Sequence, residues 1–364
     1  MSISMAKKLN IDELDVAEYL EKLNLNSDEV KKQWGDAGTK VGLKIWRVEN
    51  FKVLPWPEKD YGKFYSGDSY IILNTWSTDG EKALGHDIHF WLGETTSQDE
   101  AGTAAYKTVE LDNFLGTGPV QHRELQGYES ELFLSYFKQF VILSGGVDSG
   151  FNIVKPVEYK PQLFHIKSVN NTLTVTSVPI SSDSLNTGDV FVLDQGLKIY
   201  QWNGCKAAGS EKHKAMEFTS SLKSERSGKP EVVVFDQDDS DATPFWDGIG
   251  GKGTIKDEPS VNRFEKVAGD KILIRLSNAS GTMEFKEEAK NNISLSMLDT
   301  NDIFIVDVAS EVFVWIGAKS NVNEKSAAFK YAMDYVKKTG KKSYTQITRV
   351  VEGNENASFK SYFN

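Results

Sequence analysis

The chain has 364 residues, 39% hydrophobic and 26% charged, with a formal net charge of −10. This is the composition of a globular protein, not of a disordered, collagenous or membrane-spanning one. The acidic balance argues against nucleic acid as a partner, because neutralising phosphates takes a basic surface, and it suits cation binding. A single cysteine, Cys205, rules out an intrachain disulfide and fits a reducing compartment, and no apolar run nears the roughly 20 residues of a membrane span.

The first residues, MSISMAKKLNIDELD, lack the apolar core of a signal peptide, so a cytoplasmic location is expected. Residues 1–40 read as a charged extension compatible with helix, with a short partly amphipathic pattern at Ile11, Leu14, Ala17, Glu18, Leu20 and Leu23, broken by Gly35, Gly38 and Gly42. Strand signals begin at Val41 and run through GLKIWRVENFKVLPW, DSYIILNTW and HDIHFWLG. The stretch Trp91–Leu115 then reads as a strand end, a turn and one long helix, with Ser97 and Glu100 at capping-box spacing. One helical face carries Ala101, Ala104, Ala105, Leu111 and Leu115 and is expected in the core. A second stripe, Gly102, Tyr106, Val109 and Asn113, lies on the far side, where a one-faced helix should be polar. It reads either as a surface for a partner groove or as a face packed beneath a loop.

The chain repeats itself. Gly67-Asp68-Ser-Tyr-Ile-Ile-Leu recurs as Gly188-Asp189-Val-Phe-Val-Leu-Asp and as Asn301-Asp302-Ile-Phe-Ile-Val-Asp. Each copy leads to an aromatic strand ending at Trp91, Trp202 or Trp315, and a glutamate stands nine residues later at Glu100, Glu211 or Glu324. The aspartates are 121 and 113 residues apart, a period of whole domains and not of solenoid turns. Punctuation at Val154–Pro161 and Gly251–Pro259 divides the chain into 41–158, 159–260 and 261–364 after the 1–40 extension. Strands mixed with one long helix, without βαβ regularity, indicate α+β domains.

The repeated Asp and Glu are the candidate chemistry. Two carboxylates with backbone carbonyls and water make the oxygen cage of calcium, whereas the lack of a Cys/His cluster disfavours zinc. The bland alternative is a turn aspartate and a capping glutamate. Ala208, three residues before Glu211, has no side chain to complete a capping box, yet the glutamate is there. The acidic run from Asp236 to Gly248 fails the EF-hand pattern at Asp241 and Asp247 and reads as a solvated loop. GIGGKGT at 248–254 has Gly253 where a phosphate loop needs Ser or Thr. His86 and His89 stand three apart on a strand and so face opposite ways. No catalytic constellation emerges, so the chain is not read as an enzyme.

At this point the strings GLKIWRVENF, YGKFYSGDSYIIL, DIHFWLG, TSQDEAGTAAYKTVELDNFL, VQHRELQGYES and TQITRVVEGNENASFKSYF identify a resemblance. The chain resembles the three-domain, severin- and fragmin-like members of the gelsolin superfamily from about Gly42 onward. The resemblance implies three tandem domains, each a five-stranded mixed sheet between a long and a short helix. It implies a monomeric, cytoskeletal, calcium-regulated protein that binds actin, severs filaments and caps their barbed ends; a capping or sequestering scaffold without severing is the alternative. It implies calcium at Gly67, Asp68, Glu100 and Val147, at Gly188, Asp189, Glu211 and Asp257, and at Asn301, Asp302 and Glu324. It further implies a calcium at the actin contact held by Asp112 and Glu124, and actin contact through Gly102, Tyr106, Val109 and Asn113. The segments that bind phosphoinositides in relatives read YFKQFVILSGG and KPVEYKPQLFHIKSVNN here, with few Lys and no Arg, and give lipid binding little support.

Overall fold

The computed structural model describes residues 28–49, 51–77, 84–116, 118–146, 160–169, 172–257, 269–277, 284–320 and 328–364. In chain order the strands are β1 (Gly42–Glu49), β2 (Lys52–Pro55), β3 (Lys63–Tyr65), β4 (Ser69–Trp76), β5 (Gly85–Leu92), β6 (Val120–Leu125), β7 (Gln139–Leu143), β8 (Gln162–Val169) and β9 (Thr172–Val178). They continue as β10 (Val190–Asp194), β11 (Lys198–Asn203), β12 (Glu231–Asp236), β13 (Ile272–Ser277), β14 (Glu284–Lys290), β15 (Ile303–Asp307), β16 (Glu311–Ile316) and β17 (Gln346–Val351). The helices are α1 (Asp28–Trp34), α2 (Gln98–Leu115), α3 (Glu131–Ser135), α4 (Gly209–Glu225), α5 (Thr243–Gly248), α6 (Ala328–Lys338) and α7 (Ala357–Lys360). The chain forms two compact units: Met1–Lys59 with Asp68–Ser130 and Lys266–Asn364, and Asp60–Gly67 with Glu131–Glu265.

The first unit holds one ten-stranded sheet in the order β14-β13-β15-β16-β17-β6-β5-β4-β1-β2. Five strands come from the first repeat and five from the third. In each repeat two neighbouring strands are parallel, β5 with β6 and β16 with β17, and this leaves β6 and β17 as edges. An edge strand offers unpaired N–H and C=O groups, and here the two edges satisfy each other. They pair antiparallel through Ile347↔Arg123, Thr348↔His122 and Arg349↔Gln121. Ring contacts accompany the seam: Phe329 meets Phe90 edge-on at 5.3 Å, and Tyr344 stacks on Tyr128 at 4.1 Å.

Helix α2 connects β5 to β6. It starts as the Ser97/Glu100 spacing requires, with Ser97 Oγ accepting the Glu100 N–H and Glu100 accepting the Ser97 N–H, and ends on left-handed Gly116. Ala101, Ala104 and Leu111 pack on Ile71, Leu73, Ile88, Phe90 and Leu92 of the sheet. Ala105 and Leu115, expected in the core, are only half-buried. Residues 28–37 are not a mere extension: Val30, Trp34 and Ala37 are buried in this same core, and Trp34 meets Trp46 edge-on at 5.2 Å.

The second unit holds a seven-stranded sheet, β12-β11-β10-β8-β9-β7-β3. The five strands of the second repeat, β8 to β12, are extended by β7 and β3. Its long helix α4 buries Ala215 and Phe218 with Phe164, Val190, Val192 and Ile199 on one face. On the other face Phe245 and Trp246 of α5 pack with Phe191, Leu193 and Trp202. This corrects the reading of Asp236–Gly248 as a solvated loop. Asp238, Asp239 and Asp241 are exposed, but TPFWDG is a helix whose aromatic pair completes the core. Alternation along the strands explains both faces, since residues one apart point to opposite sides.

Candidate cation sites and the partner-facing helix

Each repeated aspartate stands immediately before a buried strand, β4, β10 or β15. Its carbonyl accepts the N–H of the glycine that closes the following strand: Gly93 to Asp68, Gly204 to Asp189 and Gly317 to Asp302, all at 3.0 Å. In the first two repeats this bond ties the aspartate to the turn that launches the long helix, whose first turn carries Glu100 or Glu211. In the first repeat the link is continuous through side chains. Ser69 Oγ lies 2.8 Å from Thr96 Oγ1, which donates to Glu100 Oε2 at 3.3 Å. In the second, Glu211 is buried and accepts the Ala208 N–H at 3.3 Å. The glutamate therefore caps its helix even without a hydroxyl at Ala208, so capping and ligation are not alternatives at this position.

Asp68 and Asp189 are buried, and Asp302 is half-buried. Each faces a basic side chain that the repeat comparison did not single out. Arg47 Nη1 lies 3.7 Å from Asp68 Oδ2, and Arg275 Nη1 lies 2.8 Å from Asp302 Oδ2. His165 Nε2 and Lys167 Nζ lie 2.8 and 3.6 Å from Asp189 Oδ2. Strand register is the cause. Arg47, His165 and Arg275 pair across the sheet with Tyr70, Phe191 and Phe304, each two residues after its aspartate and so on the same face. The sequence signal was a basic residue inside an apolar strand, as in Trp46-Arg47-Val48, Phe164-His165-Ile166 and Ile274-Arg275-Leu276. Burial acts to raise the Asp189 carboxyl, but His165, Lys167 and Asn186 outweigh it and leave it below the usual carboxylate range.

The fit of these residues to calcium has one direct mark. Asp189 Oδ1 is buried with no hydrogen-bond partner, while Oδ2 takes His165 and also the Asn186 amide at 2.8 Å. Orphaned buried oxygens are rare in folded proteins and suit a hard cation. Asp257 approaches the same turn, accepting Thr187 Oγ1 at 2.9 Å, and Lys206 holds it below its ordinary range. Gly188 N–H donates to Asn186 Oδ1, Gly67 N–H donates to Gly145 O at 2.6 Å, and Asn301 N–H donates to Asp299 Oδ1. Among the described residues no group of three or more His, Cys, Asp or Glu is arranged to hold a metal. Calcium also takes carbonyl and water oxygens, which such a grouping of side chains leaves out. Val147 and Glu324 lie outside the described residues.

Asp112 and Glu124 are not brought together. Asp112, near the end of α2, accepts Gln121 Nε2 at 2.7 Å and Arg349 Nη1 at 2.8 Å. Glu124 is three residues beyond Gln121 on β6 and therefore faces the other side of the sheet. There it accepts Ser130 Oγ at 2.7 Å and meets His89 Nδ1 at 2.8 Å, with His89 stacked on His122 at 4.3 Å. The expectation that these two carboxylates share one cation is corrected by this alternation. Burial raises the carboxyls of both Asp112 and Glu124, with Arg349 and Ser130 opposing. Burial, followed by the neighbouring His122, holds the His89 imidazole well below its ordinary value.

The second stripe of α2 is only partly open. Gly102 is buried, Tyr106 and Val109 are half-buried, and Asn113 is exposed. Tyr106 Oη donates to Phe51 O at 3.2 Å. One flank is occupied by α1, whose Gln33 and Trp34 bond the buried Glu110 carboxylate at 2.6 and 2.9 Å, as does Lys107 of α2 itself at 2.9 Å. On the opposite flank, Asp112 is held by Arg349 of the third repeat. The stripe is thus bordered by contacts on both flanks and is not the free side of a helix.

Comparison with known proteins follows from this geometry. The gelsolin-repeat family model matches residues 50–134, 171–243 and 284–360. "Gelsolin-like protein 1" of Lumbricus terrestris is 46% identical over 286 residues, covering 78% of this chain and 77% of that protein. "Gelsolin-like protein 2" of the same organism is 43% identical, covering 84% of this chain and 83% of the relative. "Actin depolymerising venom protein gelsolin 1" of Platymeris rhadamanthus is 38% identical, with 90% and 89% covered.

Proposed function

This chain belongs to the gelsolin family, and on that premise we propose that it is an actin-binding protein that severs filaments and caps their barbed ends under calcium control. The observation that carries the reading is the match of all three repeats, in order, along the chain. The first domain, 41–158, binds and caps actin through the α2 stripe; the second, 159–260, binds the filament side; and the third, 261–364, closes against the first. The protein acts at the cytoskeleton, and a cytoplasmic location is part of the proposal.

The residues assign themselves to steps. Tyr106 and Val109 enter an apolar groove on actin, and their burial stabilises the contact by about 2–4 kcal/mol. Asn113 stands at the open end of the stripe, and Gly102 leaves room at its start. In the joined form Arg349 engages Asp112 and the β6–β17 seam holds the third repeat beside α2. Asp68 with Glu100, Asp189 with Glu211 and Asp257, and Asp302 with Glu324 form the cation sites, with Gly67, Val147, Gly188 and Asn301 offering carbonyl oxygen. A bound calcium supplies positive charge that offsets the paired carboxylates. Only differential affinity for the joined and separated forms can shift their balance, so the sites control the seam to the extent that they differ between the forms. Asp112 remains a residue of the actin-facing side; Glu124 is not assigned to it.

Imaging of labelled filaments across a calcium titration tests the activity. Breaks along filaments that appear with calcium are expected, and blocked growth without breaks restricts the protein to capping. Replacing Tyr106→Asp in the full chain is expected to abolish tight binding of monomeric actin; unchanged affinity sinks the role of the stripe.

A further inference from the structure

A basic side chain on the first strand of every repeat meets the repeated aspartate. We propose that Arg47, the His165/Lys167 pair and Arg275 are tethered counter-cations that compete with a divalent cation for Asp68, Asp189 and Asp302, so that their grip sets the cation threshold of each repeat separately. The proposal rests on the reading of these aspartates as cation ligands.

A buried carboxylate without a counter-charge is costly, and in each repeat the neighbouring strand supplies one. The grip differs among the three. Arg275 Nη1 sits 2.8 Å from Asp302, with its Nε 3.1 Å from Glu288 and its guanidinium 5.2 Å from the centre of the Phe304 ring. Arg47 has the same kinds of neighbour, Glu49 at 3.1 Å and the Trp56 ring at 5.3 Å, but stands farther from its aspartate, 3.7 Å from Asp68. In the second repeat all the donors converge on one oxygen of Asp189, and the other is left without a partner. An entering cation therefore has to displace a direct ion pair in the third repeat and a looser one in the first. In the second it can join an oxygen that is already open. The order of filling expected from the geometry is second repeat, then first, then third.

Calcium itself is the probe, titrated into the full chain and followed by calorimetry and by competition with a chelating dye. The Asp302→Asn chain identifies which step belongs to the third site. Arg275→Met is expected to tighten that step about tenfold, because the direct 2.8 Å ion pair with Asp302 no longer has to be displaced. Arg47→Met tightens the first site by less, and Arg275→Lys, which keeps the charge, binds like the parent. Arg275 has 34% side-chain exposure, so its replacement leaves the core intact, and circular dichroism verifies this. If the parent binds calcium and Arg275→Met binds equally or more weakly, the arginine is only a positioning residue and the proposal is overturned. A parent that binds no calcium overturns the ligand reading beneath it.

Discussion

The first and second repeats are built from one pattern and differ in what covers their long helices. Helix α4 of the second repeat buries Ala215, Phe218, Thr219 and Glu211 and leaves Met216 53% exposed, with solvent ion pairs such as Lys214–Glu217 on its surface. Helix α2 of the first buries charged groups as well: Lys107, Glu110 and Asp112. Burial of a charge is tolerated only with a partner: Lys107 and Glu110 pair within α2 and Gln121 of β6 reaches Asp112, and further partners come from outside the repeat. Gln33 and Trp34 come from the segment before the repeat, and Arg349 from the third repeat. The pattern common to the copies makes the strand, turn, cap and aspartate. What distinguishes a copy is supplied by segments that pack against it.

The largest break in this contrast is Trp34→Ala. Trp34 is 2% exposed, and its loss opens a cavity and removes a donor from buried Glu110. A loss of about 3–5 kcal/mol is expected for the unit containing the first repeat. Chemical unfolding followed by Trp fluorescence measures it; a neutral result shows that α1 is incidental to the fold.

The seam provides the next test. Burial pushes the Glu311 carboxyl up from 4.5 to about 6, opposed by the Thr348 hydroxyl and by His122 across the junction. A raised folded-state pKa contributes stability below the unfolded value of 4.5 that is lost as pH rises through about 6. At pH 7 the ionised group is therefore a cost, and Glu311→Gln is expected to stabilise the joined unit by about 2 kcal/mol. The gain should vanish near pH 4. Thermal unfolding at the two pH values checks the sign, and equal effects at both would refute it.

The smallest effect sharpens the comparison of caps. Ala208 has the extended backbone of an N-cap, with φ −68° and ψ 146°, but no side-chain acceptor. Ala208→Ser is expected to add about 0.5–1 kcal/mol to the second repeat, and Ser97→Ala to remove a similar amount from the first. Thermal shifts of opposite sign in the two variants are the measurement.

Much of the local structure was legible. The repeated Gly/Asn-Asp motif placed β4, β10 and β15, the Trp-to-Glu spacing placed the starts of α2 and α4, and Ser97 with Glu100 marked the cap of α2. The five strands of each repeat also follow from the resemblance. The N-terminal helix was obscured because Gly35 and Gly38 follow it closely, and the α5 helix because its aromatic pair trails an acidic run. The basic partners of the aspartates were hidden by distance along the chain: Arg275 and Asp302 are 27 residues apart and meet only through register.

The sequence alone determined three copies of an α+β domain, their paired acidic residues and an unusual second stripe on one helix, because those are set by period, capping and composition. Only the tertiary structure decided that the first and third repeats share a sheet, that Asp112 and Glu124 face opposite sides of β6, and that the stripe runs between α1 and the Arg349 contact. The reason is physical. Which edge strand pairs with which depends on unpaired backbone groups meeting in register, and Asp112 and Arg349, 237 positions apart, meet through that pairing.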